Sequence, residues 1–198
     1  MCGIAGFYNF QHNSYEKISN ISHKMGDAIF HRGPDKFGLW IDASNEISFI
    51  HRRLSIIDLD TSAAKQPVKD INSLLAFNGM IYNFRKLKKI LSVNNFFRGN
   101  SDTEVLAKCL NQWGIKKTLQ NIDGMFAFAW FCKKKRKIYL VRDPMGEKPL
   151  YWARMKNKIY FSSEMKSFFE IKEFSKKPNI KLIDEYFYTQ KISGSNTI

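Results

Sequence analysis

The sequence predicts an α+β domain of stacked layers built on antiparallel sheets. Three observations point there. Short apolar segments with strand character outnumber helical ones, the helices are short and interleaved among them, and several connections have hairpin length. A doubly wound parallel sheet would need a longer crossover between successive strands.

Taken in order, residues 3–8 read as a strand. From Ser14 to Phe30, Ile18, Ile21, Met25 and Ile29 make a helical stripe, which "HRGPD" ends with Gly33 and Pro34. "FGLWI" and "EISFIHRRLSI" read as strands, and "SLLAFNG" as a short buried strand running into a turn at Asn78-Gly79. "IYNFRKLKKIL" carries a weak helical pattern. "SDTEVLAKCLNQWG" carries a stronger one, with Ser101 or Asp102 as cap, Glu104 in the first turn and Gly114 at its end. "MFAFAWF", "KIYLVRD", "LYWAR" and "KIYFSS" are a run of strands, and "SEMKSFFE" is a short helix opening with a serine cap. After Glu170 the chain turns Lys-rich, with one helical patch, "IKLIDEYF", and a polar end. Residues 1–170 are therefore expected to form the domain and 171–198 a connector leading out of it.

The 198 residues suit one domain with a short extension, and 44% apolar residues with 17 Phe and 8 Tyr can fill its core. No stretch approaches the ~18 apolar residues of a membrane span. The run Ile4 to Tyr8 is too short for a secretory signal and no basic region precedes it, so a cytosolic chain is expected. Cys2, Cys109 and Cys132 are an odd set without metal-ligand spacing, and no metal site is visible. Cys109 and Cys132 lie in apolar runs and read as small core residues. The net charge of +14 raises nucleic acid as a partner. The basic residues are spread along the chain, however, and the densest run, "KKKRK" (Lys133 to Lys137), joins two strands as a charged hairpin connection. No nucleic-acid-binding motif accompanies it, so neither nucleic acid nor a membrane is the expected partner.

The residue with chemical potential is Cys2. Removal of Met1, favoured by a small second side chain, would leave a thiol and a free α-amine on one residue. That amine has an ordinary pKa of about 7.7–8.0 and can accept a proton near neutrality. The thiol is a strong nucleophile once deprotonated. One residue could thus supply nucleophile and base, or Cys2 could simply be a small residue behind the initiator. A thiol attacking an amide also needs oxyanion donors. The Asn78 amide and the Gly79 N–H are suitable, although Asn-Gly alone equally describes an ordinary hairpin turn.

Nine short motifs occur in order: "MCGIAGFY", "HRGPD", "HRRLSIIDL", "QPV", "FNGMIYN", "SDTEV", "DGMFAFAW", "RDPMGEKPLYW" and "SSEMKSF". In this the chain resembles the amino-terminal glutaminase domain of glutamine-dependent asparagine synthetases, one of the class II glutamine amidotransferases with an N-terminal nucleophile. The resemblance runs from Met1 to about Phe168. It implies a four-layer αββα sandwich, two antiparallel sheets between helix layers. It implies Cys2 as nucleophile, Asn78 and Gly79 as oxyanion hole, Arg53 for the substrate α-carboxylate and Asp102 for its α-ammonium. Arg32 would support the site within the "HRGPD" loop, where His31 and Asp35 are given structural roles. Arg52 should point to the face opposite Arg53. His12, His23 and His51 receive no task. Relatives usually carry Glu where this chain has Met80, which weakens the expected grip on the substrate ammonium.

The implied activity is glutamine hydrolysis through a γ-glutamyl thioester, supplying ammonia for asparagine synthesis. Alternatives are the same module serving another acceptor, for instance in surface-polysaccharide modification, and a non-enzymatic basic binding module. The chain has "SGSN" but no S-G-G-x-D-S pyrophosphate loop. No cofactor is therefore expected here, and ATP and Mg belong to a C-terminal synthetase domain as the expected partner. The sequence is silent on oligomeric state and leaves a homodimer open.

Overall fold

A computed structural model of the chain describes residues 2–8, 14–44, 47–54, 65–93 and 95–192. Nine strands are described: β1 Gly3–Tyr8, β2 Lys36–Asp42, β3 Ile47–Arg53, β4 Val68–Lys69, β5 Ser73–Ile81, β6 Gly124–Cys132, β7 Lys137–Arg142, β8 Tyr151–Met155 and β9 Lys158–Ser162. They form two antiparallel sheets, a five-stranded one of order β2-β3-β1-β9-β8 and a four-stranded one of order β4-β5-β6-β7. Four α-helices accompany them: α1 Tyr15–Ala28, α2 Phe84–Leu91, α3 Asp102–Asn121 and α4 Ile180–Thr189.

Alternation along the strands divides the core into three apolar layers. Odd positions of β1, with Ala5 and Phe7, meet Ile18 and Met25 from α1, and Ile29 just after it, on the outer face of the larger sheet. Odd positions of β5, with Leu75, Phe77 and Ile81, meet Leu87 and Leu91 of α2 and Val105, Leu106 and Leu110 of α3. Between the sheets, Ile4, Phe49, Leu74, Ala76, Phe131 and Phe161 interdigitate. The result is the four-layer αββα sandwich that the resemblance implies. Among the described residues, no helix is long and apolar enough to cross a membrane.

Most elements fall where the sequence places them, with four differences. The Asn78-Gly79 pair does not turn: β5 runs through both residues to Ile81, and Gly79 pairs with Phe126. A Cβ on Gly79 would lie 2.2 Å from the Met125 carbonyl oxygen, so glycine serves a close approach of two strands here. At Gly114, with φ 74° and ψ 177°, the first helical run of α3 ends as expected, but a second run follows directly and carries α3 on to Asn121. Such a conformation is easy for glycine and strained for other residues. Third, "SEMKSFFE" forms a 3-10 helix over Met165–Glu170 without a side-chain cap. Ser163 is occupied elsewhere, since its Oγ accepts from the Ile4 N–H at 3.0 Å. Finally, β3 is shorter than "EISFIHRRLSI", whose Glu46, Ser55 and Ile56 lie outside the described residues, as do His12 and the "SGSN" segment. Beyond Glu170, Ile171 is buried and Phe174 packs against the α1-side layer, whereas α4 buries none of its residues.

Candidate active site

The three strands β1, β3 and β5 change character along the faces they turn to the inter-sheet layer. From Ile4 one step back along the same face of β1 is Cys2. From Phe49 one passes to His51 and Arg53, and from Leu74 and Ala76 to Asn78 and Met80. In the β1–β3 ladder Gly3 is opposite Arg52, so the next pair outward brings Cys2 beside Arg53. Here the packed layer opens into a cavity of about 180 Å³ lined by Cys2, Arg53, Asn78, Gly79, Met80 and Asp102, among others. Residues distant in sequence thus meet because each stands at the same end of its strand, on the same face.

Cys2 is partly exposed, with Sγ 3.6 Å from the Leu54 carbonyl oxygen. Behind it, outside the cavity lining, Arg32 donates from Nε to the Cys2 carbonyl oxygen at 3.1 Å and from Nη1 to Glu164 Oε1 at 2.9 Å. His31 reaches the same oxygen at 2.8 Å, and Lys166 lies 3.3 Å from Oε2. Partial burial alone would raise the Glu164 carboxyl, but the hydrogen bonds from Arg32, His31 and Lys166 outweigh it and hold it down at about 2. The "HRGPD" loop therefore fastens the carbonyl of Cys2 through a charged pair. Arg52 takes the opposite face from Arg53, as alternation requires: it donates to the Gly26 carbonyl and to Asp27 and lies over the Phe37 ring.

The hydrogen-bond parity of β5 decides which way its backbone donors point. In an antiparallel ladder, facing residues either exchange both backbone bonds or neither. Tyr82 N–H donates to Asp123 and Lys133 N–H to Asn72, which makes even-numbered β5 positions the ones bonded to β6. Odd-numbered positions turn their N–H groups to the other edge, where β4 ends alongside Leu75. On that edge the Phe77 N–H donates to Gln66 Oε1 at 2.7 Å and the Ile81 N–H to Asp102 Oδ2 at 3.0 Å. The Gly79 N–H stands between them and has no acceptor among the described residues. The Asn78 side chain is on the inter-sheet face, and its Nδ2, also buried, has no partner among them either. Two unspent donors on adjacent residues border the thiol's cavity, the arrangement an oxyanion requires.

Asp102 is 7% exposed, and burial pushes its carboxyl above the usual range despite N–H donors from Ile81 and Thr103. A buried carboxylate in this position is relieved by an incoming cation. Cys109 is fully buried, with its thiol pushed up to about 12, which leaves it inert near neutrality. His51 is 1% exposed and, through burial, held neutral with a pKa lowered to about 3.

Sequence reasoning missed Gln66 and Lys148, both in the cavity lining. Each lies inside one of the nine motifs, "QPV" and "RDPMGEKPLYW". Their roles depend on contacts that spacing does not encode. Asp143 builds the Lys148 loop, its carboxylate accepting from the N–H groups of Phe126, Glu147 and Lys148. Those bonds pull the Asp143 carboxyl below its ordinary value although burial opposes them.

A sequence profile described as "Glutamine amidotransferase domain" matches residues 1–198. The chain belongs to this family. Within it, the domain is similar to a glutamine-hydrolysing asparagine synthetase of Bacillus subtilis, number 2, at 39% identity over 170 residues, 85% of this chain and 22% of that protein. Asparagine synthetase B of Escherichia coli is 32% identical, over 84% of this chain and 30% of the relative. The fungal amidase chry2 of Gibberella zeae is 32% identical, over 85% and 26%. The domain thus spans about a quarter of the length of these relatives. Among solved structures, the glutamine phosphoribosylpyrophosphate amidotransferase of B. subtilis shares the fold at a TM-score of 0.66 and 22% identity, covering 84% of this chain and 43% of the other.

Proposed function

We propose that the domain hydrolyses glutamine to glutamate and ammonia through a γ-glutamyl thioester on Cys2. The observation that carries this reading is the meeting of one thiol, two unspent oxyanion donors, one guanidinium and one buried carboxylate around a single cavity. Met1 is removed, and the α-amine of Cys2 takes the thiol proton. Sulfur bonds to the amide carbon, and the developing oxyanion accepts from Asn78 Nδ2 and the Gly79 N–H. Collapse breaks the C–N bond, and the leaving nitrogen takes the proton back from the Cys2 ammonium. Water, deprotonated by the same amine, then attacks the thioester carbon; the C–S bond breaks, the Cys2 sulfur takes the proton back from the ammonium, and glutamate leaves. Arg53 pairs with the substrate α-carboxylate, for which a planar guanidinium offers two parallel donors. Asp102 receives the α-ammonium. Arg32 supports the site by holding the Cys2 carbonyl.

The ammonia serves asparagine synthesis, in a synthetase domain that would supply the ATP- and Mg-dependent activation of aspartate. The names of the relatives support this acceptor. The kinship with an amidase supports a second reading, the same chemistry directed to another acceptor. The decisive experiment for the domain itself combines intact mass with a glutamine-like diazoketone. Met1 should be absent, and the reagent should add once, at Cys2. A label on Cys109 or Cys132, or full glutamine hydrolysis with a tag left in front of Cys2, defeats the proposal.

A further inference from the structure

Among the described residues, the edge of β5 beside the cavity is finished by side chains and not by a strand. Among the described residues, β4 pairs with β5 at Leu74 and Leu75 alone, and the peptide groups of Phe77 have no backbone partner on that side. Two side chains from elsewhere replace it. Gln66, just ahead of β4, accepts from the Phe77 N–H at 2.7 Å. His51, on the inter-sheet face of β3, reaches the Phe77 carbonyl oxygen with Nε2 at 3.2 Å. A carbonyl can only accept, so Nε2 carries the proton and the ring is the Nε2–H tautomer. One donor and one acceptor thus reproduce what a neighbouring strand would offer to a single residue.

The gripped residue matters because of its neighbours in the strand. Phe77 immediately precedes Asn78, and its N–H points the same way as that of Gly79, two residues on. At Ile81 the strand is gripped again, by Asp102. Gly79, whose N–H has no acceptor among the described residues, is therefore held from both sides. Tilt of the strand about its axis would swing both the Gly79 N–H and the Asn78 amide away from the thiol.

We propose that His51 and Gln66 are positioning residues for the oxyanion donors Asn78 and Gly79, acting through the Phe77 peptide groups. This rests on the glutaminase reading above. His51 does no proton transfer in this role: burial lowers its pKa to about 3, and the nearby Arg53 charge acts in the same sense. It remains one neutral donor throughout the range in which the Cys2 amine would titrate.

The test compares His51→Leu with His51→Gln, and Gln66→Leu with Gln66→Glu, in the 198-residue chain. The first member of each pair deletes the bond to Phe77, and the second restores a donor or an acceptor. The Leu variants should lower kcat by about tenfold or more, with KM held within about twofold, since misaimed donors lose stabilisation of the transition-state oxyanion and leave ground-state binding of the substrate ends nearly unchanged. The Gln and Glu variants should recover much of kcat. Alkylation of Cys2 by iodoacetamide, which forms no oxyanion, should proceed at the wild-type rate in all four. Gln66 is only half-buried, so its pair remains informative if His51→Leu does not fold. Normal kcat in folded Leu variants overturns the positioning role alone, as does a loss confined to KM or matched by slower alkylation. A wild-type chain that neither hydrolyses glutamine nor takes a diazoketone at Cys2 overturns the glutaminase reading first and this role with it.

Discussion

The two ends of the inter-sheet layer are built from the same strands and carry opposite chemistry. At one end Phe49 and Phe161 meet edge to face, with ring centroids 5.1 Å apart, among Leu74, Ala76 and Phe131. At the other, the same faces present Cys2, Arg53 and Asn78 around a cavity, with His51 buried on the strand face that leads to it. Only one or two residues of each strand separate the two. The dry end fixes the register of both sheets, because slipping a strand by one residue would exchange the side chains fitted between the sheets with those fitted against the helices. The wet end can then leave polar donors unspent at a fixed place. A cavity of this kind is costly by itself, and the packed end offsets that cost.

The sharpest way to break the comparison is at the thiol. Cys2→Ala should reduce glutamine hydrolysis by several orders of magnitude, on the scale of about 10⁶ seen when a nucleophile is deleted. Its unfolding midpoint in urea should stay near that of the parent. A large fall in the midpoint would mean that the wet end also carries the fold.

Phe49→Ala should do the converse. Deleting a fully buried ring costs about 3–5 kcal/mol, readable in urea denaturation. The kcat of the remaining folded fraction should be little changed. Proportional loss of kcat would show that the two ends are not separable.

Acid should act at the wet end. His51 has its pKa lowered from 6.5 to about 3, and Glu164 from 4.5 to about 2. Both are depressed in the folded protein, so their contribution is complete above the ordinary values and is lost as pH falls. The window is 6.5 down to about 3 for His51 and 4.5 down to about 2 for Glu164. Stability measured in urea should decline across both windows, and Glu164→Gln should flatten the lower one. An unchanged slope in that variant would mean that the Arg32–Glu164 pair contributes nothing to folding.

The smallest effect concerns Met80, in the cavity lining on the face of Asn78. A second carboxylate there would share the substrate ammonium with Asp102. A charge-assisted bond contributes about 1.5–3 kcal/mol before desolvation is subtracted, so Met80→Glu should lower KM for glutamine by about fivefold to tenfold with kcat little changed. Asp102→Asn should raise KM. If it does so while Met80→Glu leaves KM alone, the side chain at 80 does not face the substrate.

The apolar end was the more legible of the two in the sequence. Alternating Phe, Ile and Leu announce buried strands, and the stripes of α1 and α3 announce their covering helices. Cys2, Arg53, Asn78, Gly79 and Asp102 were legible as members of ordered motifs, and the fold brings them together. What escaped is whatever depends on contacts between distant segments. Asn78-Gly79 has the composition of a turn, and only the passing Met125 carbonyl shows why glycine sits in a strand. His51 looked idle because its partner is a backbone oxygen 26 residues away on the other sheet. Gln66 finds its partner 11 residues on, across the open edge of β5.

The strand next to Cys2 is the middle one of its sheet, flanked by β3 and β9. Its Ile4 N–H is bonded to Ser163, 159 residues away. Seating Cys2 therefore depends on pairing segments far apart in the chain, and the loop-closure entropy of that pairing has to be met before the contact forms.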